Sequence, residues 1–417
     1  MYEIMFLGGA REVGRVGMLL LKEGSPIALF DYGMKPSNPP EYPIESPPVM
    51  DVFVTHAHLD HSGLAPWLSA RYRPKIYATP VTHEVGEILH RDAIKVANIE
   101  GYPIPYSNEE VDIYKGSCMA YLNFGESVST GDLAVKLYSA GHIPGATMFK
   151  VETEIGSALF TGDINTVPTH LVDAATPVRA DTVIIEGTYS GREHPQRSKV
   201  EKEFLDAVED AVAREGVVLI PAFAVGRSQE AIMMLVKRGG YEIWYDGMGT
   251  QVSKIYLSYP EYLRNHKELK KALKEVNIIQ LPSQRKKALK EGNIIVATSG
   301  MLEGGPALYY LSKIRDDPKN AIYLVGYQVE GSNGRLLLET GHIDLQGIKM
   351  PVNAEVRFFD FSAHAGHSEL LRFVKESRPE NVVIFHSEEP EHLANDLRDF
   401  VSEVIVPDVT IKIPLFP

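Results

Sequence analysis

Short apolar runs separated by Gly-rich turns make up most of the first 187 residues. The runs are rich in β-branched and aromatic residues, and runs of this length and composition predict buried strands. They occupy residues 1–7, 18–21, 27–30, 52–55, 76–79, 133–138, 148–152, 157–161 and 182–186. Apolar residues at helical spacing follow Ser62 and occupy 80–100, so this part of the chain predicts a strand-rich α/β domain.

The period of the apolar positions changes after Ser198. Helical spacing is found at 199–214 and 227–238. Runs typical of strands lie at 217–220, 243–245, 294–297 and 322–325, and the alternation continues through residues 308–314. Strands and helices in turn imply a parallel sheet of the doubly wound type. After about residue 351 the chain returns to strands, at 355–361 and 382–385, around one helix at 368–375.

The chain shows no internal repeat, low-complexity tract or Pro/Ser-rich linker. The middle third is therefore predicted to be a compact insertion rather than a tethered domain. The expected domains are residues 1–190, the first part of a host domain; 191–355, the inserted domain; and 356–417, the C-terminal part of the host domain.

The composition sets the class of protein. The chain has 417 residues, of which 44% are apolar and 23% charged, as is ordinary for a globular protein. No apolar run approaches the roughly 18 residues that span a membrane, and the N-terminus lacks the basic start of a signal peptide, so a cytoplasmic protein with no membrane contact is expected. Cys118 is the only cysteine, which excludes intramolecular disulfides and leaves His and carboxylate side chains to hold any metal.

The formal net charge is −13, which by itself argues against a nucleic-acid partner, because Lys and Arg drive phosphate binding. The charges are unevenly distributed, however. Residues 188–350 hold 23 Lys+Arg and 20 Asp+Glu, or +3, and the rest of the chain (42 − 23 = 19 against 55 − 20 = 35) carries −16. Residues 264–290 alone contain nine basic and two acidic residues. That segment is either an electrostatic footprint for a polyanion or a solvated helix face, and both interpretations stay open.

The densest polar cluster follows the apolar run at 51–54, where Thr-His-Ala-His-Leu-Asp-His carries His56, His58, Asp60 and His61. In extended backbone His56 and His58 point to the same side, and the following turn can bring Asp60 and His61 toward a second point nearby. Four such side chains suit two borderline cations in one cleft. The spacing therefore predicts part of a two-metal site.

Further candidate ligands stand at the ends of predicted strands. His142 lies in the loop Gly-His-Ile-Pro-Gly-Ala, Asp163 follows a strand in the turn Thr-Gly-Asp, and His386 ends the strand Val-Val-Ile-Phe. A carboxylate at 163 can bridge two metals. The shared placement at strand ends makes these three residues candidates for the remaining ligands.

The motifs resemble those of the metallo-β-lactamase-fold nucleases of the β-CASP family, in particular the archaeal and bacterial relatives of the nuclease subunit of the cleavage and polyadenylation specificity factor. The resemblance covers nearly all of the chain. Besides the tetrad it rests on Phe-Leu-Gly-Gly-Ala-Arg-Glu-Val-Gly at 6–14, Phe-Asp-Tyr-Gly around Asp31, Gly-His-Ile-Pro-Gly-Ala at 141–146, Thr-Gly-Asp at 161–163, Pro-Ala-Phe-Ala-Val-Gly-Arg at 221–227, Ala-Thr-Ser-Gly-Met-Leu-Glu-Gly-Gly-Pro at 297–306 and Gly-Tyr-Gln-Val-Glu-Gly-Ser-Asn-Gly-Arg at 326–335. It implies an α/β fold, the αββα sandwich of the metallo-β-lactamases with an inserted α/β β-CASP domain.

The resemblance also implies roles for the site residues. It implies two Zn²⁺ ions per chain, the first held by His56, His58 and His142. The second is held by Asp60, His61 and His386. Asp163 bridges the two ions in this assignment, and Asp31, in the family's first motif, orients a ligand from behind.

Two further motifs supply catalytic groups: Glu186 in Ile-Ile-Glu-Gly-Thr-Tyr and His364 in Phe-Ser-Ala-His-Ala. The resemblance implies that Glu186 orients His364, that His364 protonates the departing ribose oxygen, and that Asp60 serves catalysis as well as metal binding. The implied reaction is attack on the phosphorus of single-stranded RNA by a hydroxide that two zinc ions activate. Endonucleolytic and also 5′-to-3′ exonucleolytic cleavage are expected, in RNA processing, 3′-end maturation or decay.

RNA is expected over DNA because family members that act on RNA have a histidine at the position of His386, where DNA-processing relatives have valine. The family usually continues with glycine, whereas this chain has Ser387. Arg227, Ser299 and Gly300 are candidate RNA phosphate contacts, since Arg binds phosphate bidentately and Gly-rich turns expose backbone N–H groups. Because the chain begins almost at its first strand, we expect the form without KH domains.

Two alternatives to the ribonuclease stay open. A metallo-β-lactamase-fold hydrolase for a small ester or thioester uses the same metals, but the large insertion with its basic segment argues against it. A scaffold subunit, resembling one paralogous subunit of the eukaryotic complex, is expected to have lost ligands, and none is missing here. A homodimer and partners from an RNA-processing complex also stay open. Tyr189, Arg192 and His194, near Glu186 in sequence, are equally consistent with lining the site and with a structural role.

Overall fold

The computed structural model describes residues 1–117, 119–345 and 347–416, so Cys118, on which the expectation about disulfides and cysteine ligands rests, lies outside the described residues. In chain order the strands are β1 (Tyr2–Gly8), β2 (Gly17–Lys22), β3 (Ser25–Tyr32), β4 (Asp51–Phe53), β5 (Lys75–Ala78), β6 (Met119–Tyr121), β7 (Ser127–Thr130), β8 (Leu133–Ser139), β9 (Thr147–Glu152), β10 (Ser157–Phe160), β11 (Thr182–Glu186), β12 (Val218–Pro221), β13 (Ile243–Asp246), β14 (Asn277–Ile278), β15 (Ile294–Ala297), β16 (Ala321–Leu324), β17 (His342–Leu345), β18 (Ile348–Pro351), β19 (Glu355–Phe358), β20 (Asn381–Phe385), β21 (Glu403–Ile405) and β22 (Lys412–Pro414). The helices are α1 (Leu59–Ser62), α2 (Ala65–Tyr72), α3 (Pro80–Glu100), α4 (Asn108–Ser117), α5 (Arg197–Ala213), α6 (Arg227–Arg238), α7 (Gly249–Ser258), α8 (His266–Glu275), α9 (Arg285–Glu291), α10 (Gly305–Ile314), α11 (Asn333–Thr340), α12 (His367–Ser377) and α13 (Pro390–Leu397).

The chain divides into two compact units. The first unit comprises Met1–Pro168, Asp173–Glu193 and Ala363–Pro417, and the second comprises Thr169–Val172 and His194–Ser362. The second unit is thus an insertion into the first, as the change of apolar period indicated.

Two mixed sheets form the first unit, in the strand orders β22-β1-β2-β3-β4-β5-β6 and β21-β20-β11-β10-β9-β8-β7. Successive side chains of a strand point to opposite faces. In β2, Met18 and Leu20 belong to a core shared with Phe149 and Phe385 of the other sheet. Leu19 and Leu21 point to the opposite face of β2 and belong to a second core. Because both faces are buried there, β2 is continuously apolar from Met18 to Leu21.

Helices cover the outer faces of the two sheets. The second core joins the first sheet to α2, α3 and α4 through residues such as Leu68, Ile94 and Tyr114. On the other sheet, α13 contacts β20 and β21, and α12 packs on α13. The first unit is therefore the αββα sandwich that the resemblance implied.

The second unit is built on a parallel sheet in the order β14-β13-β15-β12-β16-β19. On β16, Ile322 and Leu324 join a core with α10 and α11. Tyr323 between them points the other way, and its hydroxyl donates to the carbonyl of Ala207 in α5 at 2.9 Å. Helices thus lie on both faces, which confirms the doubly wound α/β arrangement.

The structure differs from the sequence prediction near the insertion boundaries. The predicted boundary after residue 355 cuts β19 behind its first residue. This strand pairs with β16 from Ala321↔Glu355 to Leu324↔Phe358, and the second unit continues to Ser362. Thr169–Val172 also belongs to that unit, because the backbone N–H of Leu171 donates to the Glu230 carboxylate at 2.7 Å.

The helix predicted at 368–375 is confirmed as α12, but the expectation of one helix after residue 351 was wrong, since α13 follows it. α13 begins with a proline at its first position, where a missing N–H costs nothing. Its apolar face consists of only Leu393, Ala394 and Leu397, and this short stripe hides it in the sequence. None of the described helices, of which α3 is the longest, is apolar enough over a sufficient length to cross a membrane.

Candidate metal centre

The tetrad occupies the turn between β4 and α1. His56 and His61 are buried, while His58 and Asp60 are partly exposed. The backbone N–H of His61 donates to the carbonyl of His58 at 3.0 Å. This single turn of helix brings Asp60 and His61 round to the side on which the histidines of the extended segment lie.

Strand ends supply the other candidate ligands. His142 lies between β8 and β9, Asp163 follows β10, and His386 follows β20. All three are at most 3% exposed. His386 and Asp31 have φ angles of 52° and 55°, a left-handed conformation that is strained for residues other than glycine and that is often found at functional sites.

Three histidine nitrogens converge beside one oxygen of Asp163. His58 Nδ1 lies 3.1 Å from His56 Nε2 and 3.2 Å from His142 Nε2. Asp163 Oδ2 lies 3.5 Å from His56 Nε2 and 3.7 Å from His142 Nε2. Together the four side chains form a donor set that can hold a metal ion.

The other oxygen of Asp163 faces a second group. Asp163 Oδ1 lies 3.2 Å from His61 Nε2 and 3.9 Å from His386 Nε2. Asp60 Oδ2 lies 3.8 Å from His386 Nε2. Asp163 therefore lies between two groups of imidazoles, with one carboxylate oxygen turned toward each, and His56 also lies within reach of Asp60 and His61.

The protonation of these groups suits a cation. Burial lowers the pKa of His56 and His142, and it lowers the pKa of His58 to about 4, so these imidazoles are neutral and can bind a metal. Burial raises the pKa of Asp163, but His61 and the neighbouring histidines outweigh it and hold that pKa well below its usual range. These three neutral imidazoles thus face an ionised carboxylate. Burial lowers the pKa of His61, but Asp163 and Asp31 outweigh it and raise that pKa well above its usual range.

Two buried atoms test the fit directly. Although His61 Nε2 and Asp163 Oδ1 lie 3.2 Å apart, neither makes a hydrogen bond of good geometry within the described part of the chain. Buried polar atoms almost always have a partner. A bound cation would supply such a partner, so these residues fit a metal ion.

Asp31 fixes the orientation of His61. Its carboxylate is fully buried and accepts hydrogen bonds from the Thr55 backbone N–H at 2.7 Å and from the Thr55 hydroxyl at 2.8 Å. His61 Nδ1 lies 2.7 Å from Asp31 Oδ2, and donation there turns Nε2 toward Asp163. Carboxylates that hold the far nitrogen of a ligand histidine are common behind metal sites.

Glu186 and His364 form a pair beside the centre. Glu186 is buried and accepts from the backbone N–H groups of Ile164 at 3.0 Å and Thr188 at 3.1 Å. Its Oε1 lies 2.9 Å from His364 Nδ1, and His364 Nε2 lies 3.9 Å from Asp163 Oδ2. Burial lowers the pKa of His364, but Glu186 and Asp163 outweigh it and raise that pKa to about 9. His364 is therefore protonated, with its outer N–H directed at the centre.

Comparison with known proteins places this centre in a family. The metallo-beta-lactamase superfamily model matches residues 14–209, the Beta-Casp domain model 230–337, and the model of the Zn-dependent metallo-hydrolase RNA specificity domain 349–407. RNase aCSPSF2 of Saccharolobus solfataricus is 39% identical over 98% of this chain and 84% of its own. Probable RNase MJ4 of Methanocaldococcus jannaschii is 39% identical over 96% of both chains. The chain belongs to the β-CASP family of metal-dependent ribonucleases.

More distant matches agree with this family. The transcription termination factor FttA of Thermococcus kodakarensis is 34% identical over 92% of this chain and 66% of its own length. A solved structure of a protein of unknown function from Enterococcus faecalis V583 covers 99% of both chains with a TM-score of 0.61. Its identity is 13%, so it supports the fold alone.

Ser387, where this β-CASP sequence departs from the family's usual glycine, points away from the centre. Its side chain is buried, and its hydroxyl donates to the carbonyl of Gly187 at 2.6 Å. A Cβ at Gly187 would lie 2.9 Å from the Cβ of Ser387, so the absence of a side chain at 187 makes room for one at 387. The loop keeps His386 within the centre despite the substitution.

Ser62 and His90 support the tetrad but were not predicted from the sequence. The Ser62 hydroxyl donates at 2.8 Å to the carbonyl of Ala57, the residue between His56 and His58. His90 Nε2 lies 2.9 Å from the Ser62 carbonyl and 3.2 Å from its hydroxyl oxygen. The only signal in the sequence is a histidine within the apolar face of α3, which is typical of an ordinary core residue.

The candidate RNA contacts lie in the second unit, outside the histidine cluster. Arg227 is 6% exposed, and its guanidinium donates to the carbonyl of Phe361 at 2.7 Å. A Cβ at Gly300 would lie 2.8 Å from the backbone nitrogen of Phe223, so glycine there allows two loops to approach closely. Ser299 adjoins this contact.

The three residues near Glu186 in sequence lie in different surroundings. The Tyr189 ring stands 5.9 Å from the His364 ring. Arg192 pairs with Glu389 at 3.3 Å, and His194 pairs with Asp360 at 2.8 Å. Of these, Tyr189 is the one that the structure places against a candidate catalytic group.

Proposed function

We propose that this β-CASP protein is a two-zinc ribonuclease that hydrolyses phosphodiester bonds within single-stranded RNA, and that it also degrades RNA in the 5′-to-3′ direction. The observation that carries the proposal is the position of Asp163, with one oxygen beside each group of imidazoles. That arrangement supports a bridging carboxylate between two ions. Relatives named RNase and transcription termination factor support a role in RNA processing, 3′-end maturation or decay.

The proposed ligand assignment follows the two groups. His56, His58 and His142 hold the first ion, and Asp60, His61 and His386 hold the second. When bound, a pair of zinc ions supplies a nucleophile at neutral pH and stabilises charge on the phosphate oxygens. Zinc is favoured because imidazole and carboxylate are the donors present, and these suit it well.

His364 is the proposed general acid. Its Nδ1 is held by Glu186 at 2.9 Å, and its outer N–H faces the centre. A ribose oxygen is a poor leaving group, so its departure is faster when a positioned acid gives it a proton. Glu186 keeps the imidazole ring oriented and stabilises its protonated form.

The experiment combines metal analysis with cleavage assays. Purified protein is expected to contain about two zinc ions per chain and to cut 5′-labelled single-stranded RNA at internal positions, but not DNA of the same sequence. His364→Ala is expected to keep both ions and to lose roughly 100-fold to 10,000-fold in turnover, the usual contribution of general acid catalysis.

His392→Ala is the matched control, since His392 is an exposed histidine of the same C-terminal segment, and it is expected to cleave RNA as the wild type does. Wild-type turnover by His364→Ala would exclude this residue as the acid. Protein that carries both ions and cleaves neither RNA nor DNA would contradict the proposed function as a whole.

A further inference from the structure

Two helices of the β-CASP domain carry an excess of positive charge. α8 and α9 together hold eight basic and three acidic residues, a net formal charge of +5, in a chain whose net charge is −13. One of the eight, Arg285, pairs with the buried Asp246 at 2.7 Å. On α8, residues three and four positions apart form one face, and this face consists of Lys267, Lys270, Lys271 and Lys274, all exposed. The opposite face, with Leu269 and Ala272, is buried.

The two helices flank the same edge of the inserted sheet. β14 is the edge strand, and it follows α8 and precedes α9 in the chain. On the neighbouring β13, Trp244 packs in a core with Ala288 of α9. Tyr245, which points the opposite way, bonds to Ser228 of α6 at 2.8 Å, and α6 packs on α8. We call α8, β14 and α9 the basic edge.

Helix stability does not account for these lysines. α9 begins with Arg285, Lys286 and Lys287 and has no acidic residue in its first turn, although the start of a helix is unfavourable for positive charge. On α8 the lysines repeat at a spacing where like charges repel. α5 shows the ordinary alternative, since it pairs Lys199 with Glu203 and Lys202 with Asp206.

Within the described part of the chain, most of the lysines on the basic edge also lack an ion-pair partner. Lys271 pairs with Glu275 at 3.7 Å, and Lys287 pairs with Glu291 at 3.6 Å. No ion pair with another described residue is found for Lys267, Lys270, Lys274, Lys286 and Lys290. Their ammonium groups are therefore available to the anions of a partner.

An aromatic ring adjoins the basic edge. Tyr309 of α10 is partly exposed, and the Arg285 guanidinium and Lys313 Nζ lie 5.6 Å and 5.9 Å from its ring centroid. Surfaces that bind single-stranded nucleic acid combine cations for the phosphates with aromatic rings for the bases. This combination favours RNA over an acidic protein as the partner.

We propose that the basic edge binds the phosphate backbone of the single-stranded RNA substrate, outside the segment that is cleaved. The inference rests on the proposed function for the identity of the substrate. It assigns the contacts to helices of the β-CASP domain that hold none of the candidate metal ligands. Long RNA should therefore gain affinity from an interaction that short RNA does not make.

Three variants test the basic edge. One has Lys267→Gln, Lys270→Gln, Lys271→Gln and Lys274→Gln; the second has Lys286→Gln, Lys287→Gln and Lys290→Gln; and the control has Lys199→Gln and Lys202→Gln on α5. Binding of a poly-uridylate of about 40 nucleotides is measured by fluorescence anisotropy in EDTA, over a range of salt concentrations, so that no cleavage occurs. Circular dichroism verifies that each variant is folded.

The α8 variant is expected to bind the long RNA about tenfold more weakly at low salt. Its plot of log K against log [salt] should be shallower by about 2 to 3, because each phosphate of a single strand that lysine no longer neutralises reduces the slope by ~0.7. The α9 variant should show a smaller change of the same kind, and the control should match the wild type. When cleavage is measured in the presence of zinc, the α8 variant should have a KM for long RNA that rises as its binding weakens. Its kcat, and its cleavage of RNA of about six nucleotides, should stay unchanged.

Folded α8 and α9 variants that bind long RNA with wild-type affinity and salt dependence would overturn the proposal, and the basic edge is then a solvated surface or a site for an acidic protein. A wild type that binds long RNA through these lysines in EDTA but cleaves no RNA with zinc would contradict the proposed function and leave the basic edge supported.

Discussion

At the residue scale, hydrogen bonds behind the tetrad hold the proposed ligands in position. His90 is fully buried, and burial lowers its pKa to about 3, so its ring is neutral and donates through Nε2 to the Ser62 carbonyl at 2.9 Å. Ser62 in turn holds Ala57. Because Ala57 separates two proposed ligands, movement of its peptide displaces both.

Replacing His90 should therefore weaken the metal site without removing a ligand. His90→Phe preserves the aromatic volume but leaves the Ser62 carbonyl without its donor. Loss of a group bonded directly to a ligand reduces metal affinity by about 10-fold to 100-fold, and the more remote His90 should cost at most about 10-fold. His90→Gln keeps an N–H donor and is expected to recover part of the affinity. Zinc affinity is measured by competition with a chromophoric chelator, and kcat and KM are measured for RNA cleavage.

His83→Phe provides the matched control for this prediction. His83 is a second buried histidine on α3, and its Nδ1 has no hydrogen-bond partner within the described residues. The same substitution there should leave zinc affinity unchanged. Equal losses from both substitutions would show that packing of α3, rather than the bond to Ser62, explains the effect.

At the scale of elements, the neighbouring parallel strands β11 and β20 carry Glu186 and His386 at their ends. The Ser387 hydroxyl connects the turns that follow, through its bond to the Gly187 carbonyl. Ser387→Gly introduces the residue that the family usually has, and it should lower the free energy of unfolding by about 1–2 kcal/mol through the missing hydrogen bond and the added backbone freedom. Urea denaturation measures this change, and RNA cleavage should persist.

Ser387→Ala separates the two contributions to that loss. Alanine removes the hydroxyl but not the Cβ, so only the hydrogen-bond part, about 1 kcal/mol, should be lost. If neither variant changes the unfolding free energy, the bond between the turns does not stabilise the protein.

The sequence predicted those elements, and pointed to those candidate ligands, whose signals are local. Residues 80–100 were predicted as a helix and form α3, since Pro80 stands at its start and Gly101 ends it with a left-handed φ of 77°. His142, Asp163 and His386 were recognisable because strand ends of a sandwich lie together. Membership of β19 in the inserted sheet depends on its pairing with β16, and the role of His90 depends on a bond to Ser62, 28 positions away. Neither contact leaves a local pattern.

At the scale of the whole molecule, all the proposed ligands belong to the first unit. The first of its three segments contains the proposed ligands from His56 to Asp163, and the third contains His386. The proposed acid His364 and its partner Glu186 lie in the third and second segments. The second unit has a core of its own, with fully buried residues such as Leu311 and Ile322. A metal bound at the centre therefore stabilises the first unit directly.

Removal of zinc should consequently lower the stability of the two units unequally. A ligand that binds the folded state at 1,000 times its Kd contributes about 4 kcal/mol, and 1 kcal/mol corresponds to about 2–4 °C in a unit of this size. We expect two calorimetric transitions, of which EDTA lowers one by roughly 10 °C and leaves the other in place. Leu311→Ala, which opens a cavity in the core of the second unit, identifies the second transition by lowering it alone. If EDTA instead lowers both transitions equally, the two units unfold as one, and the insertion depends on the metal centre for its stability.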